Sequence, residues 1–167
     1  DVRVAGVQMI LMVEDSIRFY SAMLPDLYQF VLKQSMDFAT EALNAHQATL
    51  RQRGRPKIVL ARSYDEAKVL YDKYSNNTLG VITDCRMPRD GKKDAEAGLR
   101  LIEYIRTVDK FVPCILQSSE SENHSKADCL HVPFVDKNSK KRAVDLRNIV
   151  EQFFGFGDFV FRDPNTM

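Results

Sequence analysis

Apolar residues along this chain come in short, nearly unbroken runs, and each run stops at a polar side chain. "VQMILMV" (7–13) stops at Glu14-Asp15-Ser16, and "KIVLARS" (57–63) ends on Ser63. "LGVITD" (79–84) ends on Asp84, "VPCILQSS" (112–119) on Ser118-Ser119, and "PFVDK" (133–137) on Lys137. Runs this short without alternation predict strands covered on both faces, as in a parallel sheet. Between the runs the pattern changes to that of helices. Ser16 or Asp15 is placed to cap the helix after the first strand. Ser63 is placed to cap "YDEAKVLYDKYS", whose acids come first and whose Lys73 comes late, the order that a helix dipole favours. "GLRLIEYIRTV" (98–108) sets Leu99, Ile102 and Ile105 on one face, with Leu101 and Val108 beside them. "SENHSKADCLHV" predicts a short helix. "KRAVDLRNIVEQFF" (141–154) carries a stripe of Val144, Leu146 or Ile149, Val150 and Phe153. Five strands alternating with helices predict an α/β fold with a doubly wound, five-stranded parallel sheet.

Two segments exceed what that fold needs. The first crossover, residues 16–56, predicts a helix broken or bent at Pro25, then a helical run from Asp26 to about Arg53, stopped by Gly54-Arg55-Pro56. Unbroken, ~28 residues at ~1.5 Å each would reach ~42 Å, longer than such a sheet requires. The second is "RDGKKDAEA" (89–97), charged almost throughout, which reads as a solvated loop.

Composition narrows the class. With 167 residues, 44% of them hydrophobic, the chain can fill one core and is not a disordered segment. Residues 1–154 are read as one domain, and 155–167 as a Phe-rich tail or the start of a linker. The chain opens on Asp1 and is read as a piece of a longer protein. Lys and Arg number 24 against 23 Asp and Glu, an even balance that speaks against a dominant nucleic-acid face. No apolar run approaches the ~20 residues of a membrane-crossing helix, and no leader is visible. The three cysteines form no C-x-x-C pair, so neither zinc nor disulfides are expected, and a reducing cytoplasm is the expected location. Cys114 and Cys129 lie in apolar contexts that predict core packing, while Cys85 adjoins Asp84.

In doubly wound sheets ligands bind outside the carboxyl ends of the strands. That rim would collect Glu14, Asp15, Asp84, Ser118 and Lys137. Three clustered carboxylates repel one another unless a cation sits among them, and a few hard oxygen ligands suit Mg2+. Such a metal lets a carboxylate act as nucleophile toward phosphorus. Lys137 would hold phosphoryl oxygens as a point charge, and the Ser118 hydroxyl would donate to them. Singly, each residue has a plainer role: helix-entry acids, a turn, a surface lysine. Their joint placement at successive strand ends points to phosphoryl transfer onto Asp84.

These motifs resemble the receiver domain of two-component response regulators (CheY-like), from about Met9 to Phe154. "LMVEDS" resembles that family's acidic pair, "DCRMP" its phosphoacceptor segment, "GLRLIEYIR" the helix that follows, "PCILQSS" its Thr/Ser position, and "FVDK" its lysine, with Phe134 at the aromatic position. The resemblance implies a flavodoxin-like sheet of order 2-1-3-4-5, with the first helical crossover enlarged. It implies that Asp84 accepts phosphate from a histidine kinase or phosphotransfer protein. Asp15, Asp84 and the Arg86 backbone carbonyl would ligate Mg2+, Glu14 would assist through water, and Ser118 and Phe134 would form the switch. The implied protein is a phosphorelay switch, not an enzyme beyond its own phosphorylation and autodephosphorylation. Asn138 departs from the family, which usually has Pro after the lysine; so do the insertion and the enlarged crossover. The alternatives are a receiver-like interaction module that takes no phosphate, or a haloacid-dehalogenase-type phosphatase. The latter expects a second acid where this chain has Arg86. Arg86 and Glu120 carry opposite charges at neighbouring strand ends and are expected to pair across the site mouth, hindering the water that hydrolyses an acyl phosphate. "FFGFGDFVF" (153–161) suggests a junction to a further domain of the same chain or to a second copy; no direct nucleic-acid or membrane partner is expected.

Overall fold

The structure is a computed structural model that describes residues 8–40 and 56–153, with side chains described for all of these except 34–40 and 153. The expected helix stop at Gly54 and the Phe-rich tail lie outside these residues.

Five strands form one parallel sheet: β1 (Met9–Val13), β2 (Lys57–Ala61), β3 (Thr78–Asp84), β6 (Cys114–Ser118) and β7 (Phe134–Asp136). Their order is β2-β1-β3-β6-β7. This is the expected 2-1-3-4-5 arrangement, with two further strands, β4 (Met87–Arg89) and β5 (Lys92–Asp94), intervening in the chain. All five residues of β1 are fully buried. Successive side chains of a strand point to opposite faces, so β1 feeds two cores. Met9, Leu11 and Val13 pack with α2 (Tyr64–Tyr74), α3 (Ala97–Val108) and Ala127 of α4 (Asn123–Cys129). Ile10 and Met12 pack with Met23, Leu27, Phe30 and Val31 of α1 (Ile17–Thr40) and with Leu146 and Val150 of α5 (Arg142–Phe153). Two apolar faces covered by helices explain why the strands lack alternation.

Ser63 caps α2 as expected, its hydroxyl accepting from the Glu66 amide at 3.1 Å. Five expectations need correction, four of them in the helices. The first crossover helix is not broken at Pro25, which lies inside α1. A proline there removes the hydrogen bond to the carbonyl of Ser21. Ser21 and Pro25 are both exposed, so water can take that carbonyl. Val108 is half exposed because it is the last helical residue, beyond Ile105, the final core contact of α3. Val144 is likewise exposed, because it sits about 200° around the helix from buried Leu146. Cys129 is exposed rather than core, by the same offset from Ala127.

The segment after Met87-Pro88 is not a solvated loop. β4 and β5 pair antiparallel, with Met87 opposite Asp94 and Arg89 opposite Lys92. The two turn residues, Asp90 (φ 54°) and Gly91 (φ 77°), both take positive φ, as a tight hairpin turn demands. Asp94 holds the base together: it accepts from Arg89 at 2.8 Å, from Arg100 at 3.0 Å and from the Glu96 amide at 2.9 Å. These donors hold its carboxyl below the usual range, the Glu96 amide first. The hairpin also docks on α2, where the Asp90 amide donates to Asp65 at 2.7 Å and Arg89 lies over the Tyr64 ring.

Candidate functional site

The carboxyl ends of β1, β3 and β7 deliver their polar residues to one point. The sheet register makes this happen: the Glu14 amide donates to Ala61 at 3.0 Å, the Cys85 amide to Gln117 at 3.0 Å, and the Lys137 amide to Ser118 at 2.9 Å. Each residue just beyond its strand is therefore still pinned by a ladder hydrogen bond. Glu14, Asp15 and Asp84 bring carboxylate oxygens within 4.8 Å of one another. Lys137, itself buried, sets its ammonium 2.6 Å from Glu14 Oε2 and 3.0 Å from Asp84 Oδ2. The same ammonium lies 4.1 Å from the centre of the Phe19 ring, a cation–π contact from α1.

Burial governs the electrostatics. Glu14 is fully buried and Asp84 is 7% exposed. Desolvation, then repulsion from Glu14, pushes the Asp84 carboxyl up to about 7, against the opposing pull of Lys137. Asp84 Oδ1 accepts from the Cys85 amide at 2.9 Å, and its backbone carbonyl from the Thr83 hydroxyl at 2.9 Å. The Cys85 thiol is pushed up to about 11, first by burial and then by Asp84. It therefore stays protonated and donates to the Ala95 carbonyl at 3.2 Å, tying the hairpin's exit to the strand end.

Ser118 is buried, and its hydroxyl oxygen accepts from the Glu120 amide at 3.0 Å and from Asn123 Nδ2 at 2.9 Å. Asn138, at the position where the resembling family has proline, donates from its side chain to the Ser119 carbonyl at 2.8 Å. This bond ties the loop after Lys137 to the loop after Ser118. Phe134 stacks on His124 of α4, ring centres 5.0 Å apart. Arg86 and Glu120 approach to 3.9 Å, with side chains 59% and 43% exposed. An ion pair that open contributes little to stability.

Three residues of the site escaped the sequence reading. Gly98 brings α3 against the strand end: a Cβ there would lie 2.0 Å from the Asp84 carbonyl oxygen, so no larger residue fits without moving backbone. The sequence marked it only as the start of a helix. Gln117 is fully buried, with Nε2 3.4 Å from Glu14 Oε2 and an Oε1 that has no hydrogen-bond partner. Lys93 of the hairpin reaches Asp15, 78 positions away, and forms a short charge-assisted hydrogen bond with its carboxylate. No local pattern could have signalled either contact.

The donor set suits a small hard cation. It consists of three carboxylates, those of Glu14 and Asp84 buried and that of Asp15 part-buried. Asp15, only part-buried, gives the cluster its side open to water.

The fold has close parallels among solved structures. A response regulator receiver domain from Clostridium thermocellum matches 89% of this chain and 95% of its own, with TM-score 0.59 and 15% identity. The response regulator TrrA from Thermotoga maritima, solved with Mg2+ and BeF, matches 88% of this chain and 99% of its own, with TM-score 0.58 and 19% identity. The non-phosphorylated HemR receiver domain from Leptospira biflexa matches 93% and 98%, with TM-score 0.60 and 20% identity. No family model matches the chain. No curated protein sequence matches it either. The chain has the receiver-domain fold: a flavodoxin-like parallel sheet wrapped by helices, with an acidic cluster at the carboxyl ends of its strands.

Proposed function

We propose that this chain is a phospho-aspartate switch of a two-component phosphorelay. The observation that carries this reading is Lys137, a buried lysine bridging the carboxylates of Glu14 and Asp84 beside Asp15. Such a pairing needs a buried nucleophilic carboxylate and a fixed cation at one point, which is what transfer onto an aspartate requires. An Asp84 oxygen attacks phosphorus, the bond from phosphorus to the donor nitrogen breaks, and the departing imidazole keeps the electron pair and takes a proton. Mg2+, held by Asp15, Asp84 and the Arg86 carbonyl with Glu14 acting through water, would neutralise the charge of the incoming group. Lys137, already 3.0 Å from Asp84, supplies a second positive charge to the phosphoryl oxygens. In this reading the Ser118 hydroxyl, whose oxygen accepts from Asn123, and Phe134, stacked on His124, would both shift toward the phosphoryl group. Those two contacts would hold the switch in its resting position.

The partners of this reading are a histidine kinase or phosphotransfer protein in the cytoplasm, and a further domain or second copy contacted through the Phe-rich tail. Among the described residues no helix is long and apolar enough to cross a membrane. The test uses Mg2+ and a small phosphodonor such as phosphoramidate, with phosphoprotein read by intact mass. One phosphoryl group is expected on the wild type and none on Asp84→Asn. A wild type that takes no phosphate would favour a plain interaction module. Multiple turnover of phosphoesters would favour a phosphatase, against which the exposed Arg86 already stands.

Arg86 and Glu120 belong to the same reading, as a loose screen over the acyl phosphate. Arg86→Ala and Glu120→Ala should each hydrolyse the phosphorylated form about two- to fivefold faster, the size of effect open ion pairs supply. Equal phosphoprotein lifetimes would rule the screen out.

A further inference from the structure

The hairpin of residues 87–94 places one side chain on the acidic cluster. Lys93 donates to Asp15, the most open of the three acids. We propose that Lys93 is a tethered cation that stands in for part of the metal's charge, so that Mg2+ must displace its ammonium from Asp15 in order to bind. This rests on the reading of Asp15 as a Mg2+ ligand.

Charge and geometry both argue for it. Three carboxylates within 4.8 Å face two ammoniums, Lys137 and Lys93. Lys137 is locked between Glu14 and Asp84 with only 4% of its side chain exposed, and is not free to leave. Lys93 is 49% exposed and touches Asp15 alone of the three acids, so it is the displaceable one. Its reach is fixed by the hairpin base, where Asp94 holds Arg89 and Arg100, and by Asp90 on Asp65. The lysine is thus delivered by a docked element, not by a loose arm, and its competition with metal is intramolecular and persistent. Displaced from Asp15, the Lys93 head has solvent on its open side and returns when the metal departs.

The test is a MgCl2 titration of the unphosphorylated chain, followed through the amide chemical shifts of Asp84 to Met87. Lys93→Ala is expected to bind Mg2+ about two- to fivefold more tightly than the wild type, because an ion pair of this exposure is worth about that factor. Lys92→Ala, which removes the same charge from the neighbouring exposed position, is expected to change the midpoint less than twofold. Unaltered or weaker binding in Lys93→Ala would overturn the proposal. An equal effect of Lys92→Ala would also overturn it, since the cause would then be general charge. So would a chain in which neither the wild type nor Lys93→Ala binds Mg2+. Failure of the phospho-switch reading looks different: Mg2+ titrates normally and Asp84 takes no phosphate.

Discussion

Lys137→Ala should destabilise the fold by about 3–5 kcal/mol at pH 7.5, measured by urea unfolding. The size follows from what the lysine leaves behind. Its side chain is 4% exposed and holds Glu14, which is fully buried, at 2.6 Å and Asp84 at 3.0 Å. Without it two carboxylates face each other out of water, and one must take up a proton or drag solvent into the sheet end. Deleting one partner of a buried pair costs far more than the pair itself contributes, because the remaining charge is uncompensated. The contact with Phe19 of α1 is lost as well. Lys137→Met separates the causes: it keeps most of the volume, so any loss it shares with Lys137→Ala is electrostatic. Both variants should recover part of the loss at pH 5.5, where a proton is cheaper to bind. A loss under about 1 kcal/mol, the range of a solvated surface pair, would mean that the ammonium is not confined as described.

Much of this arrangement could be read from the chain, because it depends on where strands stop. A buried parallel strand is a run of apolar residues, and the residue ending it lies on the rim where ligands bind. The rim positions of Glu14, Asp84, Ser118 and Lys137 are legible that way, and the alternation of strands and helices gives the doubly wound parallel sheet, while its strand order comes only from the resemblance to receiver domains. What the chain hid has other causes. The hairpin has a turn signal, Asp90-Gly91, but its arms, Met-Pro-Arg and Lys-Lys-Asp, lack the alternating apolar residues that announce a ribbon. It is held by Asp94, Asp65 and Tyr64, contacts that need the folded α2 and α3 in place. Gln117 passes as one more residue of a buried strand, and its tie to Glu14 spans 103 positions. Val108 lies past the last core contact of its helix, which an apolar stripe does not mark, and Val144 lies off the face that Leu146 buries, because the stripe left open which apolar residues define that face.

Stability of the metal-free chain should fall as the pH rises from about 5 to about 8. The group responsible is Asp84, whose carboxyl is pushed up to about 7 by burial and by Glu14, against ~3.9 in an unfolded chain. A raised folded value means that the native state holds the proton more tightly than the unfolded chain does. Its contribution is complete below the unfolded value and is lost as the pH climbs through the folded one, the reverse of the usual aspartate. A shift of about three units sets a ceiling of ~4 kcal/mol, and the part of it between pH 5 and the folded value of about 7 is a fall of about 2–3 kcal/mol. Urea unfolding at pH 5 and pH 8 in a chelator measures it. Asp84→Asn removes the charge and the proton, so it should be nearly flat over the same range and more stable than the wild type at pH 8. The difference between the two chains cancels the pH dependence that they share. Saturating Mg2+ should restore the wild type at pH 8, because a ligand that binds only the folded, ionised cluster stabilises it by mass action. A wild type that gains stability with pH, in parallel with Asp84→Asn, would show that Asp84 is ionised throughout and that Lys137, not desolvation, governs its charge.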